Sequence, residues 1–399
     1  MTYILYISYD GMLEPLGQSQ VLAYLKRLAN GRRIHLISFE KADDWANVAE
    51  RVRLARDIAS AGIAWHPLRY HKAPSVLATA FDIMQGIIVG VWLCVRYKIK
   101  IIHARSYIPS VIALTLKKLF NVKYIFDMRG FWADERIDGG LWPKGGRIYR
   151  VAKWFEKRFL LSADSVVSLT NAAVDEMKKF DYLQGRLPNF KVITTCTDLN
   201  LFDFKKTNIN NSSKESFVLG YVGSVGVWYL FDETLNCFKL ILEKVPSAQL
   251  HIINRGGHQY IRERLIDKRI NPNKVMIETS DHAGVAKAMQ SMDVGIFFIK
   301  PVYSKMSSAP TKLGEFLGCG IPCLSNTKVG DMAVILNDEK VGVALDSFDE
   351  TSMKLGIEEL MTLLNDPEIR ERCRSTALKY FSLDIGVRSY NHIYNRLIS

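Results

Sequence analysis

Short apolar runs alternate with amphipathic stretches along this chain, and the alternation occurs twice. In the first half YILYISY, RIHLISFEK, IAWHPLRY, KIIHARS, KYIFDMRG and SVVSLT read as strands. Between them, SQVLAYLKRLAN, ADDWANVAERVRLARDIASAG, PSVIALTLKKLF and RIYRVAKWFEKRFLLSAD carry apolar residues at helical spacing. Runs that are apolar throughout, rather than at every second position, belong to strands covered on both faces. Strand and helix in turn predict a doubly wound α/β sheet. The segment 203–216, DFKKTNINNSSKES, is polar and without period, and reads as a linker. After it the alternation restarts with FVLGYVGS, AQLHIINRGG, VMIET, DVGIFFIK, CLSN and VGVAL as strands.

The predicted organisation is an N-terminal Rossmann-like domain over 1–202, the linker 203–216, a C-terminal Rossmann-like domain over 217–380, and a closing helix over 381–399 that packs back on the first domain. Ligands of such sheets bind beyond the carboxyl ends of the strands, so the sites are expected in a cleft between the domains. The stretch 76–95, VLATAFDIMQGIIVGVWLCV, is long enough to suggest a membrane span. It contains Asp82, Gln85 and two glycines, and a strand follows at once, so it reads as a buried or partly amphipathic helix.

Composition narrows the class. At 399 residues the chain exceeds one compact core and suits two domains. An apolar content of 48% with a mean hydropathy of +0.01 marks a soluble globular protein. The net charge of +12 is uneven: residues 1–200 hold 29 Lys and Arg against 18 Asp and Glu, an excess of +11. A basic half fits nucleic acid, an anionic membrane surface or an anionic lipid substrate. No nucleic-acid module signature is present, so nucleic acid is not expected as a partner. Six cysteines (94, 196, 237, 319, 323 and 373) form no CxxC pair and no zinc spacing, and read as reduced core thiols of a cytosolic protein. MTYILYISYD reads as a first strand rather than a signal peptide.

Four strand-end segments carry candidate chemistry. In DGMLEPLGQSQVLAYL the loop is expected to end at Gly17 and the helix to start near Ser19, which would offer the amides of Gly17 and Gln18 to a phosphate. FDMRGFWADERIDGG sets Arg129 beside a glycine directly after a buried strand, a placement suited to anion binding, with Asp134 and Glu135 following. GYVGSVGVWY spaces Gly220, Gly223 and Gly226 as GxxGxxG, not as the dinucleotide fingerprint GxGxxG. In SSAPTKLGEFLGCGIPCLSN a short helix starts near Thr311. Its N-terminus would present the amides of Ser308 to Lys312 to a phosphate, with the Lys312 charge beside them. Glu315, one turn on, would accept hydrogen bonds from a ribose diol. A nucleotide accounts for both charges at once, whereas a solvated i,i+3 pair is worth only about 0.2–0.5 kcal/mol. No Asp-x-Asp, nucleophile elbow, Walker motif or HExxH occurs, and no metal site is expected.

Taken in order, EPLGQSQVL, HARSYIPSVIAL, FDMRGFWADE, YVGSVGVWY and PTKLGEFLGCGIP, with the tail TALKYFS and its Y-x3-Y, resemble glycosyltransferase family four of the bacterial surface-polysaccharide type. The resemblance implies a GT-B fold, two Rossmann-like domains facing across a cleft. It implies retaining, metal-independent transfer of a sugar from a nucleoside diphosphate (UDP or GDP type) to a glycan or polyprenyl-diphosphate-linked acceptor, without a further cofactor. The donor would lie on the C-terminal domain and the acceptor on the N-terminal one. The protein would be cytoplasmic and peripheral on the inner face of the membrane.

Carried over by position, Glu315 falls on the second glutamate of the family's Glu-x7-Glu pattern, which binds the donor ribose. Ser307 stands where the first glutamate would contact the transferred sugar. The family's diphosphate-clasping Arg and Lys fall near Ser224 and Tyr229 and are absent. Lys312, Arg129 or Arg255 would supply that charge, with Gly223, Ser308, Thr311 and Leu313 around the donor. The family's sugar-contacting histidine falls on Arg129, and His103 lies on an earlier strand. Arg129 and Lys312 are therefore the catalytic candidates and Asp134 and Glu135 the acceptor-side candidates. A GT-B sugar-nucleotide epimerase and a non-catalytic sugar-nucleotide binder are the alternative readings.

Overall fold

The computed structural model describes residues 2–204 and 217–398. Two compact units emerge, Met1–Thr194 with Leu383–Ser399, and Thr195–Ser382. The first is built on seven parallel strands: β1 (Thr2–Ser8), β2 (Arg32–Glu40), β3 (Ile63–Arg69), β4 (Ile101–Arg105), β5 (Lys123–Asp127), β6 (Ser165–Ser168) and β7 (Phe190–Val192), in the order β3-β2-β1-β4-β5-β6-β7. Ile4 of β1 pairs in register with Ile34 on one side and Ile101 on the other. Both faces of β1 are covered, which is why its sequence is apolar throughout. β3 contains Pro67 and lies at the sheet edge, where a missing N–H costs no ladder bond. The three-residue β7 was not anticipated, being short and preceded by the turn-forming QGRLPN.

From β1 the chain steps outward to β2 and β3, then returns through β4 to β7 on the other side. Right-handed crossovers place the helices that follow β3, β4 and β5 on one face. These are α1 (Ser75–Tyr97), α2 (Tyr107–Phe120) and α3 (Arg147–Ser162). α1 inverts the pattern expected of it. Its small residues Ala78, Gly86 and Gly90 and the acidic Asp82 are buried, while Leu77, Ile88 and Trp92 are exposed. Asp82 accepts from Tyr9 Oη at 2.8 Å and from the His71 backbone N–H at 3.1 Å, with His71 Nδ1 at 2.6 Å.

Among the described residues the second unit has six parallel strands: β8 (Val218–Val222), β9 (Gln249–Ile253), β10 (Val275–Glu278), β11 (Val294–Ile296), β12 (Cys323–Asn326) and β13 (Gly342–Leu345), in the order β10-β9-β8-β11-β12-β13. Separate apolar cores fill its two faces, one around Phe297 and Phe316, the other around Phe238 and Phe298. The helix α4 (Thr311–Gly318) belongs to the first of these.

The division at Thr194 precedes the boundary read at 202 because the intervening residues are held by the second unit. Thr197 N–H donates to Phe381 O at 2.8 Å, and Arg374 donates to the carbonyls of Leu199 and Phe202 at 2.9 and 2.7 Å. Of the segment read as a linker, Asp203 and Phe204 are among these held residues, Asp203 paired with Arg374 at 3.0 Å. The remainder, 205–216, lies outside the described residues. The last helix, α5 (Leu383–Ile398), belongs to the first unit. The two tyrosines of the Y-x3-Y tail fasten it there: Tyr390 Oη donates to Asp127 Oδ2 at 2.8 Å, and Tyr394 Oη lies 2.7 Å from His103 Nδ1. All six cysteines are buried and free.

Candidate functional site

In each unit the chain leaves the sheet centre in opposite directions, from β1 and β4 in the first and from β8 and β11 in the second. Such switch points open a crevice at the carboxyl ends of the strands, and the candidate residues gather at both.

In the second unit β8 ends at Val222, and Gly223 turns the chain with φ +117°. The positive φ favours glycine there, and a side chain would place its first carbon 2.9 Å from Lys312 Nζ, so the turn and the amine lie close together. Asn254, after β9, fixes this loop: its side-chain Nδ2 donates to Gly223 O at 2.8 Å, and its Oδ1 accepts from Gly257 N–H at 2.5 Å. Arg255 is the next residue and is exposed. Ser224 is exposed too, its carbonyl accepting from Tyr221 Oη at 2.7 Å.

Lys312, in the first turn of α4, is 7% exposed. Its Nζ has no hydrogen-bond partner and stands among three rings, 3.8 Å from the centroid of Tyr229, 5.3 Å from Phe297 and 5.4 Å from Tyr221. Burial pushes this amine down to about 7, with the Glu315 charge opposing in part. A desolvated amine facing a glycine turn with no acceptor is a group built for an incoming anion. Glu315, also buried, has Oε1 3.5 Å from Nε2 of the half-exposed His282. No side chain caps α4.

The surrounding candidates divide. Thr311 opens α4 and is partly exposed. Ser308 does not offer its amide as expected, because that N–H donates to Lys305 O at 3.1 Å. Leu313 is a core residue, 1% exposed and packed with the apolar cluster, so its side chain is unavailable to a donor. Ser307 is buried and its hydroxyl donates to Ser304 O at 2.7 Å. A pair that sequence reasoning missed lies alongside: Lys305 Nζ sits 3.8 Å from the ring centroid of Trp228. Trp228 falls within the quoted GYVGSVGVWY, but only the fold brings Lys305 to it.

In the first unit the switch point holds charges from three adjacent strands. Arg105, at the end of β4 and 4% exposed, donates from Nε to Asp10 Oδ2 at 3.2 Å. Asp127, at the end of β5, is buried with Oδ1 lacking a hydrogen-bond partner. Burial alone would raise its carboxyl, but Arg129, His103 and Arg105 outweigh that and hold it at about 2. Arg129 lies with Nη1 4.0 Å from Asp127 Oδ1 and a backbone φ of +59°. A left-handed arginine is strained by roughly 1–3 kcal/mol, a cost commonly found at functional sites. His103 is buried with Tyr394 and Asp127 on its two ring nitrogens. Sequence reasoning found Arg129 but not Arg105 or Asp10, which only the strand order makes neighbours.

Three candidates of this unit sit differently from expectation or are tied up locally. The helical run begins at Pro15, not near Ser19, so Gly17 and Gln18 lie inside it. Gln18 N–H donates to Glu14 O at 3.1 Å, and Gly17 packs so tightly on Gly11 that a side-chain carbon would stand 2.0 Å from Gly11 O. Proline favours the first helical position, and that signal outweighs the glycine. Asp134 is buried and accepts from Tyr149 Oη at 2.8 Å and Lys153 Nζ at 3.0 Å. Glu135, beside it on the short helix Trp132–Asp138, is partly exposed.

Comparison with known proteins gives two family matches: "Glycosyl transferase 4-like domain" over residues 19–186 and "Glycosyl transferases group 1" over residues 203–380. No curated protein matches the chain. Among solved structures, a glycosyltransferase from Rickettsia africae ESF-5 is similar with a TM-score of 0.73 at 14% identity, covering 100% of this chain and 99% of that one. Sucrose-phosphate synthase from Thermosynechococcus elongatus follows at 0.71 and 14%, with the same coverage. Anabaena HepE in complex with UDP matches at 0.66 and 14%, covering 99% of this chain and 100% of that one; its UDP-glucose complex matches at 0.64.

Proposed function

We propose, for a chain that belongs to the GT-B glycosyltransferases with a family 4-type first half and a group 1 second half, a retaining and metal-independent transfer of a sugar from a nucleoside diphosphate. The observation that carries this reading is the unpartnered Lys312 amine facing the Gly223 turn beside the start of α4. A diphosphate there would accept from Lys312 and from backbone amides of the turn, satisfying an amine that burial leaves without a partner. Glu315, three residues along α4, is then suited to the ribose diol. HepE binds UDP and UDP-glucose by the description of its structures, which supports a UDP-type donor for this fold.

In the reaction the anomeric carbon–oxygen bond to the diphosphate breaks and a bond to the acceptor hydroxyl oxygen forms on the same face. The electron pair of the broken bond goes to the diphosphate oxygen. Lys312, or Arg255 at the loop beside Gly223, would meet that growing charge with a fixed cation, and Arg129 of the first unit is the further catalytic candidate. The departing diphosphate oxygen itself takes the acceptor proton, so no separate carboxylate base is needed. The acceptor side falls to the first unit, where Arg105, Asp10 and Arg129 gather. Its basic excess fits a polyprenyl-diphosphate-linked glycan at the cytoplasmic membrane face, as in the synthesis of surface polysaccharide.

Incubation with a panel of UDP- and GDP-sugars and lipid-linked oligosaccharides, read by mass spectrometry, tests the reading. A product heavier by one sugar residue, formed only with acceptor present, is expected. A change of the sugar without acceptor would mean epimerisation. Binding without turnover on any acceptor would mean a sensor.

A further inference from the structure

Helix α1 packs into the first unit by its small residues. A side-chain carbon at Gly86 or Gly90 would stand 2.4 Å from Ile112 or 2.6 Å from Leu116 of α2, so the two helices approach closely there. The large apolar residues point the other way. Leu77, Phe81, Met84, Ile88, Trp92 and Val95 are all exposed, from 42% to 69%, and fall at steps of three and four along one stripe. A helix on the surface of a water-soluble protein shows the reverse arrangement. Among the described residues α1 is also the one helix long and apolar enough to cross a membrane. It does not cross, because β3 and β4, which it joins, lie in the same sheet.

α3 lies on the same face, packed on α2. It repeats the pattern with Ile148, Val151 and Trp154, all about half exposed. On these three helices the exposed charges have one sign. The three helices contain two carboxylates, Asp82 and Glu156, and both are fully buried. Asp82 is bound by Tyr9 and His71; Glu156 accepts from Tyr107 Oη at 2.5 Å and pairs with Lys153 at 2.5 Å. Exposed among the apolar residues are Arg96, Lys118, Arg147, Arg150, Lys157 and Arg158, the last stacked on Trp154 at 4.7 Å.

We propose that the outer face of α1 and α3 lies on an anionic lipid bilayer, with the α1 stripe and Trp154 in the boundary between headgroups and acyl chains and the arginines and lysines against lipid phosphates. This deepens the reading of a lipid-linked acceptor and rests on it for its biological sense. An apolar helix face with aromatic residues and a basic flank is the form that binds in the plane of a membrane interface. The charge argues against a second copy of the chain as the occupant. Pairing this face with itself would oppose the same six cations without a carboxylate of these helices to meet them.

Co-sedimentation of the full-length protein with acceptor-free vesicles tests this without any catalytic step. Phosphatidylcholine vesicles with about a third phosphatidylglycerol are compared with pure phosphatidylcholine, at low and high salt. The protein is expected to bind the anionic vesicles at least tenfold better, and salt to remove most of the difference. Ile88→Glu with Trp92→Glu is expected to cut partitioning at least tenfold, and Arg147→Glu with Arg150→Glu to abolish the preference for anionic lipid. Leu77→Glu, at the other end of the stripe, gives a second reading if the double variant melts early. Equal binding to both vesicle types, or binding that survives the α1 changes in folded protein, would overturn the proposal. So would a dimer in light scattering that Leu77→Glu dissociates. Loss of sugar transfer with vesicle binding intact would instead count against the enzymatic reading alone.

Discussion

Lys312 Nζ stands 3.8 Å from the ring centroid of Tyr229, without a hydrogen-bond partner. An aromatic face attracts a cation by about 2 kcal/mol or more when both are desolvated, which is less than water would give the same charge. Burial therefore pushes the amine down to about 7. The free protein holds Lys312 close to the point of losing its proton, and a bound diphosphate would restore the charged form.

This has a consequence for stability. In the unfolded chain the amine titrates near its ordinary value of 10.5. Between about 7 and 10.5 the unfolded chain holds a proton that the folded protein has lost, so stability rises with pH across that window. Below about 7 both states are charged and the full cost of burial is present. The gain is at most about 1.4 kcal/mol per pH unit. Urea unfolding of the wild type, compared with Lys312→Met between pH 6.5 and 9.5, is expected to show the wild type gaining on the variant as pH rises. A constant difference would mean that Lys312 keeps its charge when buried.

Arg129 is expected to matter to turnover more than to donor affinity. It belongs to the first unit, whereas the residues proposed to hold the donor belong to the second. Its charge would meet the leaving diphosphate or transferred sugar chiefly in the reacting state, and such interactions lower kcat when removed. Arg129→Ala should reduce kcat at least tenfold with donor Kd changed less than threefold. Arg129→Lys should also be impaired, since an ammonium does not reproduce a bidentate guanidinium. Near-normal kcat in either folded variant would leave Arg129 as the partner of Asp127 and nothing more.

Turnover is expected to persist in excess EDTA. The proposed reading gives the diphosphate charge to Lys312, Arg129 or Arg255, and the chain has no Asp-x-Asp. Activity that EDTA abolishes and Mg²⁺ or Mn²⁺ restores would show that those cations are insufficient.

The sheets were legible because strands such as Ile4–Ile7 are covered on both faces and so spell themselves as unbroken apolar runs. The helix expected near Ser19 starts at Pro15, and Gly17 lies inside it, where close packing on Gly11 rather than a turn requires the glycine. Lys312 and Glu315 were legible as charges in an apolar setting. The cage around Lys312 was not, because Tyr221, Tyr229 and Phe297 come from separate segments that only the fold brings together. The same holds for Asp10, Arg105 and Asp127, each at the end of a different strand. On α1 the sequence period was visible but its direction was not, since apolar content alone does not say which face meets the sheet.

Calorimetric titration of UDP and GDP into the wild type, Glu315→Ala and Lys312→Met at pH 7 tests the donor site most directly. One of the two nucleotides is expected to bind the wild type. Loss of a charged acceptor from the ribose should cost Glu315→Ala about 1.5–3 kcal/mol, roughly tenfold or more in Kd, and Lys312→Met should weaken binding to at least the same degree, both variants melting as folded proteins. Neither nucleotide binding the wild type, or unchanged affinity in both folded variants, would contradict the assignment of the Gly223 turn and α4 as the place where the nucleoside diphosphate sits.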